Sequence, residues 1–484
     1  MNVTYIIGNG FDLNLGLKTS YKDFYAYYIE QYPSIHDEDK VKGNEKEIVK
    51  LKKSIQNSIN GKNTDKANWA DLELALGQYT SVFSAESEEE ETAAAELMID
   101  LIKDIRKELT AYLKEKVEQI QISGGEENAL AEEFGNVDAC LSKADYNKLN
   151  KYYKDHTGSL LIDIITLNYT STLEKLLNVQ GKESGFEKIG TKSILGKESF
   201  IKAIHHLHHT INEGDSPLLG VNDENQIANE ALRKNEDLRE FLIKQESNRM
   251  FGTEVDVDCK LIIESSQLLI LFGVSIGATD KDWWNLIASH LLQHSDSRLI
   301  IFVYDASFIP GDPTLGKKRR KVVSEFLSHS GLADNNRVSV IQKITVVFNT
   351  PLFHGLRKFI NISSYIKGEA TFDYSNNNGR YTIGTGMRSF TTQWSEAGKD
   401  SIHAYNDSED IEAIGLLNEP MSLDVLKIED LDNVDFSSRS RKPELNDIVI
   451  WKNKHGHFAA TKIVEIKIRR IDKVYELKIE YAIY

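Results

Sequence analysis

Five short runs of apolar, largely β-branched residues constrain this chain more than any other feature: Val3 to Ile7, Leu160 to Leu167, Leu268 to Phe272, Leu299 to Tyr304 and Ile344 to Phe348. Each is continuous rather than alternating, and segments long enough for helices separate them. A strand buried on both faces reads this way, because neither set of alternate side chains meets water. Such strands, joined by helical crossovers, build a parallel sheet with helices on both sides. The expected fold is α/β: a doubly wound, mainly parallel, Rossmann-like sheet.

Two further textures surround that pattern. After the first run the sequence reads as a helical insertion, about residues 35–150. There Leu97, Leu101, Ile105, Leu109, Tyr112, Leu113, Val117 and Ile120 recur at spacings of three and four, the apolar stripe of a helix. That stripe is expected to be core rather than chemistry. After about residue 370 the chain becomes turn-rich, at Asn376 to Gly379, Thr382 to Gly386 and Lys454 to His457. Ala459 to Ile468 and Val474 to Tyr484 then alternate as half-buried antiparallel strands do. With 484 residues, more than one core usually serves, the chain is read as a nucleotide-binding domain over 1–365 and a mainly β module over 370–484.

Charge and cysteine count exclude several classes. A net charge of -16 argues against the broad basic face that nucleic acid requires. The basic run Lys317 to Lys321 is read as a solvated helix face. Two cysteines, Cys140 and Cys259, are too few for a disulfide framework or a cysteine zinc site and suit a reducing compartment. The N-terminus lacks the features of a signal peptide, and no apolar stretch approaches the roughly 20 residues that span a bilayer. A cytoplasmic protein without membrane contact is expected.

The residues able to carry chemistry follow the strands. Gly8-Asn9-Gly10 closes the first run, where glycines let backbone amides approach a phosphate, or simply make a tight turn. The six-residue dinucleotide fingerprint is incomplete, since Leu13 occupies its third glycine position. Asn168-Tyr169-Thr170, His205-His206-Leu207-His208-His209, Gly220 to Asp223 and Gly273 to Asp280 lie near the C-terminal ends of further strands, where open parallel sheets collect ligands. His206 and His208 would share a strand face, but no third ligand stands out, so no metal is assigned. A general base, a substrate-orienting residue and a structural role all remain open for one histidine. Asn168 also fits an N-cap for the helical stretch Ser171 to Leu177, while Ser275 and Asp280 also fit caps and turns. Trp283-Trp284 reads as packing, and no serine-hydrolase elbow accompanies a suitable triad.

Taken together, Ile6 to Leu13 and Gly16 to Tyr21, followed in order by Trp69 to Glu73, Thr166 to Thr170, His206 to His208, Gly220 to Asp223 and Gly273 to Asp280, resemble the AbiH family of bacterial abortive-infection proteins. The resemblance covers roughly residues 1–360. The same order is similar to a distant sirtuin-like plan, in which defence effectors hydrolyse NAD. The resemblance implies Asn168 and His208 as catalytic residues, Asn168 orienting a water or the ribose and His208 assisting proton movement. It implies a nucleotide pocket at Gly8, Asn9, Gly10, Asp12, Thr19, Tyr169, His206, Asn222, Asp223, Gly273, Ser275 and Asp280. NAD would then be a substrate, not a permanent cofactor. One departure bears on the pocket's shape: the plan has glycine after the histidine, and this chain has His209. The tail resembles a β module appended to bacterial immune effectors, for which sensing, assembly into a homo-oligomer, binding of a partner defence protein and a solely structural role all remain open. Two other readings remain: a non-catalytic nucleotide sensor that recruits a separate effector, and a metal-dependent nuclease.

Overall fold

All five apolar runs form strands. The computed structural model describes residues 1–60, 69–122, 129–179, 188–211, 217–309, 311–362, 366–384, 388–398, 401–417, 422–423, 426, 434–469 and 474–484. Thr385 and Gly386 of one expected turn, and the expected domain limit at residue 365, lie outside the described residues. The chain divides into two compact units, Met1–Leu113 with Ile122–Asn361, and Lys114–Gln121 with Ile362–Tyr484.

Up to Ile362 the strands are β1 (Asn2–Ile7), β2 (Ile120–Ile122), β3 (Leu160–Thr166), β4 (Ile189–Ile194), β5 (Lys197–His206), β6 (Leu268–Phe272), β7 (Arg298–Val303), β8 (Ile344–Phe348) and β9 (Ile360–Ile362). Seven of them build one sheet in the order β4-β5-β3-β1-β6-β7-β8. Every neighbouring pair is parallel except β4 with β5. Alternate residues of each central strand enter opposite cores, as the two-fold period of a strand requires. Val3, Tyr5 and Ile7 pack with Phe134, Leu149 and Leu173 from helices on one face. Ile6, Leu269 and Leu271 pack with Ile263, Trp284, Phe326 and Val340 from helices on the other. Trp284 is fully buried, with its indole N–H donating to the Gly277 carbonyl, so the expectation of packing holds. The apolar stripe holds from Leu97 to Val117 on the helix Glu88–Glu118, where Leu101, Ile105, Leu109 and Leu113 are buried, but Ile120, expected to continue it, lies beyond the helix in a short strand.

The pair β4 and β5 escapes an apolar-run reading for a physical reason. It lies at the sheet's margin, and β5 alternates, with Glu198 and Lys202 exposed while Ser199 and Ile201 are buried. A strand with one wet face carries no continuous apolar run.

The second unit is antiparallel throughout its described pairings. It holds β10 (Ile366–Asp373), β11 (Arg380–Ile383), β12 (Phe390–Glu396), β13 (Ile402–Tyr405), β14 (Ile411–Leu417), β15 (Ser440–Arg441), β16 (Ile448–Asn453), β17 (Phe458–Arg469) and β18 (Val474–Ile483). A five-stranded sheet, β10-β18-β17-β16-β14, and a four-stranded one, β11-β12-β13-β15, share a core in which Trp394 meets Trp451 edge to face at 5.2 Å. The two alternating runs at the end of the sequence are the hairpin β17–β18.

Candidate functional site

Because the central strands are parallel, their C-terminal ends open onto one edge of the sheet, and the strand order reverses direction at β1, between β3 and β6. Ligands of open α/β sheets bind outside such a reversal. The loop after β1 meets the loop after β6 backbone to backbone. Gly8 N–H donates to the Phe272 carbonyl at 3.0 Å, and Gly10 N–H donates to the Gly273 carbonyl at 2.8 Å. A Cβ on Gly10 would stand 2.4 Å from the Gly273 Cα, and Gly273 itself has φ +64°. Glycine is therefore required for the loops to touch. The amides of Gly8 and Gly10 themselves are thus engaged within the protein. Asn9 and Thr19 clamp the same loop reciprocally: Thr19 Oγ1 donates to Asn9 Oδ1 at 2.8 Å, and Asn9 Nδ2 donates to the Thr19 carbonyl at 2.9 Å.

The loop after β3 supplies Asn168. It is not a helix cap, since Ser171 holds the N-cap position of Thr172–Leu177. Asn168 is 4% exposed, and its amide oxygen has no hydrogen-bond partner among the described residues. Two residues further on, Thr170 Oγ1 donates to Asp12 Oδ2 at 2.7 Å. Burial pushes the Asp12 carboxyl up to about 6, although hydrogen bonds from Thr170 and Thr172 oppose the shift. Asp12 thus stands behind the wall, supporting Thr170.

Beyond β5, His208 is 4% exposed and its Nε2 lies 3.1 Å from Asp280 Oδ1. Lys244 reaches both carboxylates of this wall, 2.8 Å from Glu73 and 3.0 Å from Asp280. Tyr169 O–H donates to Glu73 at 3.3 Å. Burial alone would raise Asp280, but Lys244 and His208 together outweigh it and hold the carboxyl well below its usual range. Burial raises Glu73, with Asp280 adding to the effect and Lys244 offsetting part of it. Burial would lower Lys244, yet the two carboxylates raise it. The lysine charge is therefore balanced chiefly by Asp280, and a buried chain runs Glu73, Lys244, Asp280, His208. Buried charges persist only when paired in this way.

These pieces enclose a cavity of about 450 Å³. Gly8, Asn9, Gly10, Thr19, Asn168, Tyr169, His208, Gly273, Ser275 and Asp280 line it, together with Trp69, Glu73 and Lys244. Four expected positions do not. Asp12 lies behind the wall; His206 pairs with Glu174; Asp223 caps the turn Glu224–Gln226 and pairs with Lys281; and Asn222 accepts from the Asp282 amide at 3.3 Å. Asn222 and Asp223 secure the start of the helix Lys281–Gln293 instead.

The sequence from residue 4 to residue 303 matches the model of the bacteriophage abortive infection AbiH family. The chain belongs to the AbiH family. Among curated proteins, none matches the chain. AbiH membership indicates a role in phage abortive infection. The match contains every member of the buried chain from Glu73 to Asp280, whereas the whole run of strands from β10 onward lies outside it. Among the described residues, no helix is long and apolar enough to cross a membrane.

In this AbiH protein the histidines of 205–209 do not converge. His205 approaches Asp163 at 3.5 Å, His206 pairs with Glu174, His208 faces Asp280, and His209 Nε2 meets Asn248 Oδ1 at 2.9 Å. Only His208 reaches the cavity. His209 has φ +60°, the left-handed region that favours glycine. Two polar residues of the wall went unselected from sequence. Glu73 belongs to the quoted Trp69 to Glu73 segment. Lys244 opens a polar helix, Lys244–Phe251, with nothing local to distinguish it.

Proposed function

We propose that this chain is an anti-phage effector whose doubly wound, Rossmann-like unit binds NAD in the cavity and hydrolyses it to nicotinamide and ADP-ribose. The observation that carries the reading is Asn168: a buried amide oxygen without a protein partner, on the cavity wall that also holds the His208–Asp280 pair. A buried polar atom left unpaired costs about 1–3 kcal/mol, so a ligand hydroxyl or a water is its natural complement. The left-handed backbone at His209 adds support, because the sirtuin-like plan has glycine there, although the side chain still departs from it.

In the proposed step the bond between ribose C1′ and the nicotinamide nitrogen breaks, and its electron pair passes to that nitrogen, so nicotinamide leaves neutral. A water oxygen bonds to C1′. Asn168 orients that water or the ribose, and His208 takes the water's proton through Nδ1, since Nε2 faces Asp280. The proton then passes to solvent. A positioned base of this kind contributes roughly 10²–10⁴-fold. Lys244 holds Asp280 ionised and in place while Glu73 anchors the lysine from its other side, and assembly with further copies or a partner defence protein is assigned to the C-terminal unit.

The test incubates purified full-length protein with NAD in ¹⁸O-labelled water and follows products by mass spectrometry. Label in ADP-ribose, lost in Asn168→Ala and His208→Ala variants that still fold, is the expected result. NAD binding without turnover in all three proteins points instead to a nucleotide sensor, and metal-dependent cleavage of DNA or RNA to a nuclease.

A further inference from the structure

The basic run Lys317 to Lys321 belongs to the helix Leu315–Ser328. Lys317, Arg320 and Lys321 are exposed, so the reading of a solvated helix face holds for them. Lys318 turns to Asp305 and Asp312 at 2.8 and 3.6 Å, while Arg319 and Arg320 line a second cavity of about 430 Å³. Lys148, from the helix Lys143–Tyr153, and Arg337, from the helix Asp334–Ile341, join them there. Four cations from three helices thus face one hollow in a chain of net charge -16.

Little in the protein neutralises them. Asp145 is the one carboxylate of the lining, 4.0 Å from Arg319. Arg337 pairs with Asp334 at 3.1 Å, but that carboxylate's side chain is 93% exposed. Among the described residues, Lys148 and Arg320 make no ion pair. Ser324 and Thr345 add hydroxyls, and Val323, Leu327, Ile341, Ile344 and Val346 make an apolar floor. The second cavity shares no lining residue with the first.

We infer that this hollow is a second ligand site, and that it takes a small organic phosphate of the nucleotide class. Guanidinium groups match phosphate oxygens in a fixed fork, which explains two adjacent arginines better than a general preference for anions. The apolar floor suits a flat base rather than a bare inorganic ion. A volume of about 430 Å³ admits one small molecule and not a polymer. The inference does not depend on the hydrolysis reading, because none of its residues lines the first cavity.

The experiment is hydrogen–deuterium exchange of the full chain with millimolar ADP, with inorganic phosphate and with a short DNA duplex as comparison probes. Protection of amides at 145–150 and 337–346 reports this site, and protection at 168–170 reports the first cavity, so the two are read separately. ADP is expected to protect the former. Joint Arg320→Glu and Arg337→Glu substitution should weaken that protection at least tenfold while leaving the thermal midpoint unchanged, and raised salt should weaken it in wild type. No protection there at millimolar ADP, protection indifferent to charge reversal, equal protection by inorganic phosphate, or tighter binding of the duplex would each overturn the inference.

Discussion

Replacing Lys244 by Met leaves the aliphatic stem roughly filled and removes the charge that separates two buried carboxylates. Lys244 is 6% exposed and Glu73 2%, with contacts of 2.8 and 3.0 Å to Glu73 and Asp280. A unit pair at about 3 Å gains about 5 kcal/mol at an effective dielectric of ~20, much of it offset by desolvation. Removing one partner is the costlier case, about 3–5 kcal/mol, because a charge stays buried and unpaired. The pH dependence gives the change a signature. In wild type the Lys244 pKa is raised above 10.5 on folding, so its stabilisation is fully present below that value and is lost only at higher pH. In the variant, Glu73 and Asp280 lose their counter-charge, take up protons on folding, and leave a deficit that grows as pH rises. Native-state hydrogen exchange at the amides of β1 and β6 isolates this unit from the C-terminal one. The expected loss is about 3 kcal/mol or more at pH 8 and at least ~1 kcal/mol smaller at pH 5, one pKa unit being worth about 1.4 kcal/mol. A loss equal at both pH values, or below about 1 kcal/mol, would refute the argument that the lysine charge organises this wall.

Substitutions at three further positions probe the surroundings of the cavity. The Asp12 pKa is raised to about 6 from 3.8, so its contribution is full below 3.8 and is lost as pH rises through 6, about 3 kcal/mol in all. Asp12→Asn should therefore stabilise the protein at pH 7.5 and confer no advantage at pH 4; an unchanged pH slope in urea unfolding contradicts this. Gly10→Ala places a methyl 2.4 Å from the Gly273 Cα, so the loops after β1 and β6 must part at a cost of about 1–3 kcal/mol or more. Calorimetry should find the transition of this unit lowered by several degrees, and a wild-type value would show that the loops give way easily. At His209, φ +60° makes Val worse than Gly by about 1 kcal/mol or more, despite the lost bond to Asn248 in both variants. Equal thermal midpoints for His209→Gly and His209→Val would dispose of the backbone argument.

The central sheet was legible because its strands are buried on both faces and so cannot disguise themselves with polar residues. β5 was not, because Glu198 and Lys202 meet water. Site residues were legible where they follow a strand directly, as Gly8, Asn168 and Gly273 do, since parallel topology alone carries them to a common edge. Proximity in sequence misled elsewhere. Asp12 follows the Gly-Asn-Gly turn but sits on the far side of a helical turn, beneath Thr170. Asn222 and Asp223 form a turn that serves the next helix. Lys244 illustrates what no local pattern encodes: it meets Glu73 across 171 residues of chain, and only the assembled fold gives a charged residue of a polar helix a buried partner. The hollow beside the basic run was not legible for a related reason, because its lining needs Lys148 and Arg337 from other helices.

The most direct test of the account is the NAD content of cells expressing wild type, Asn168→Ala or His208→Ala at matched folded levels, with and without phage challenge. Depletion on infection by wild type alone, with protection lost in both variants, is the expected result. Unchanged NAD in all three while wild type still protects would contradict the claim that this cavity hydrolyses NAD.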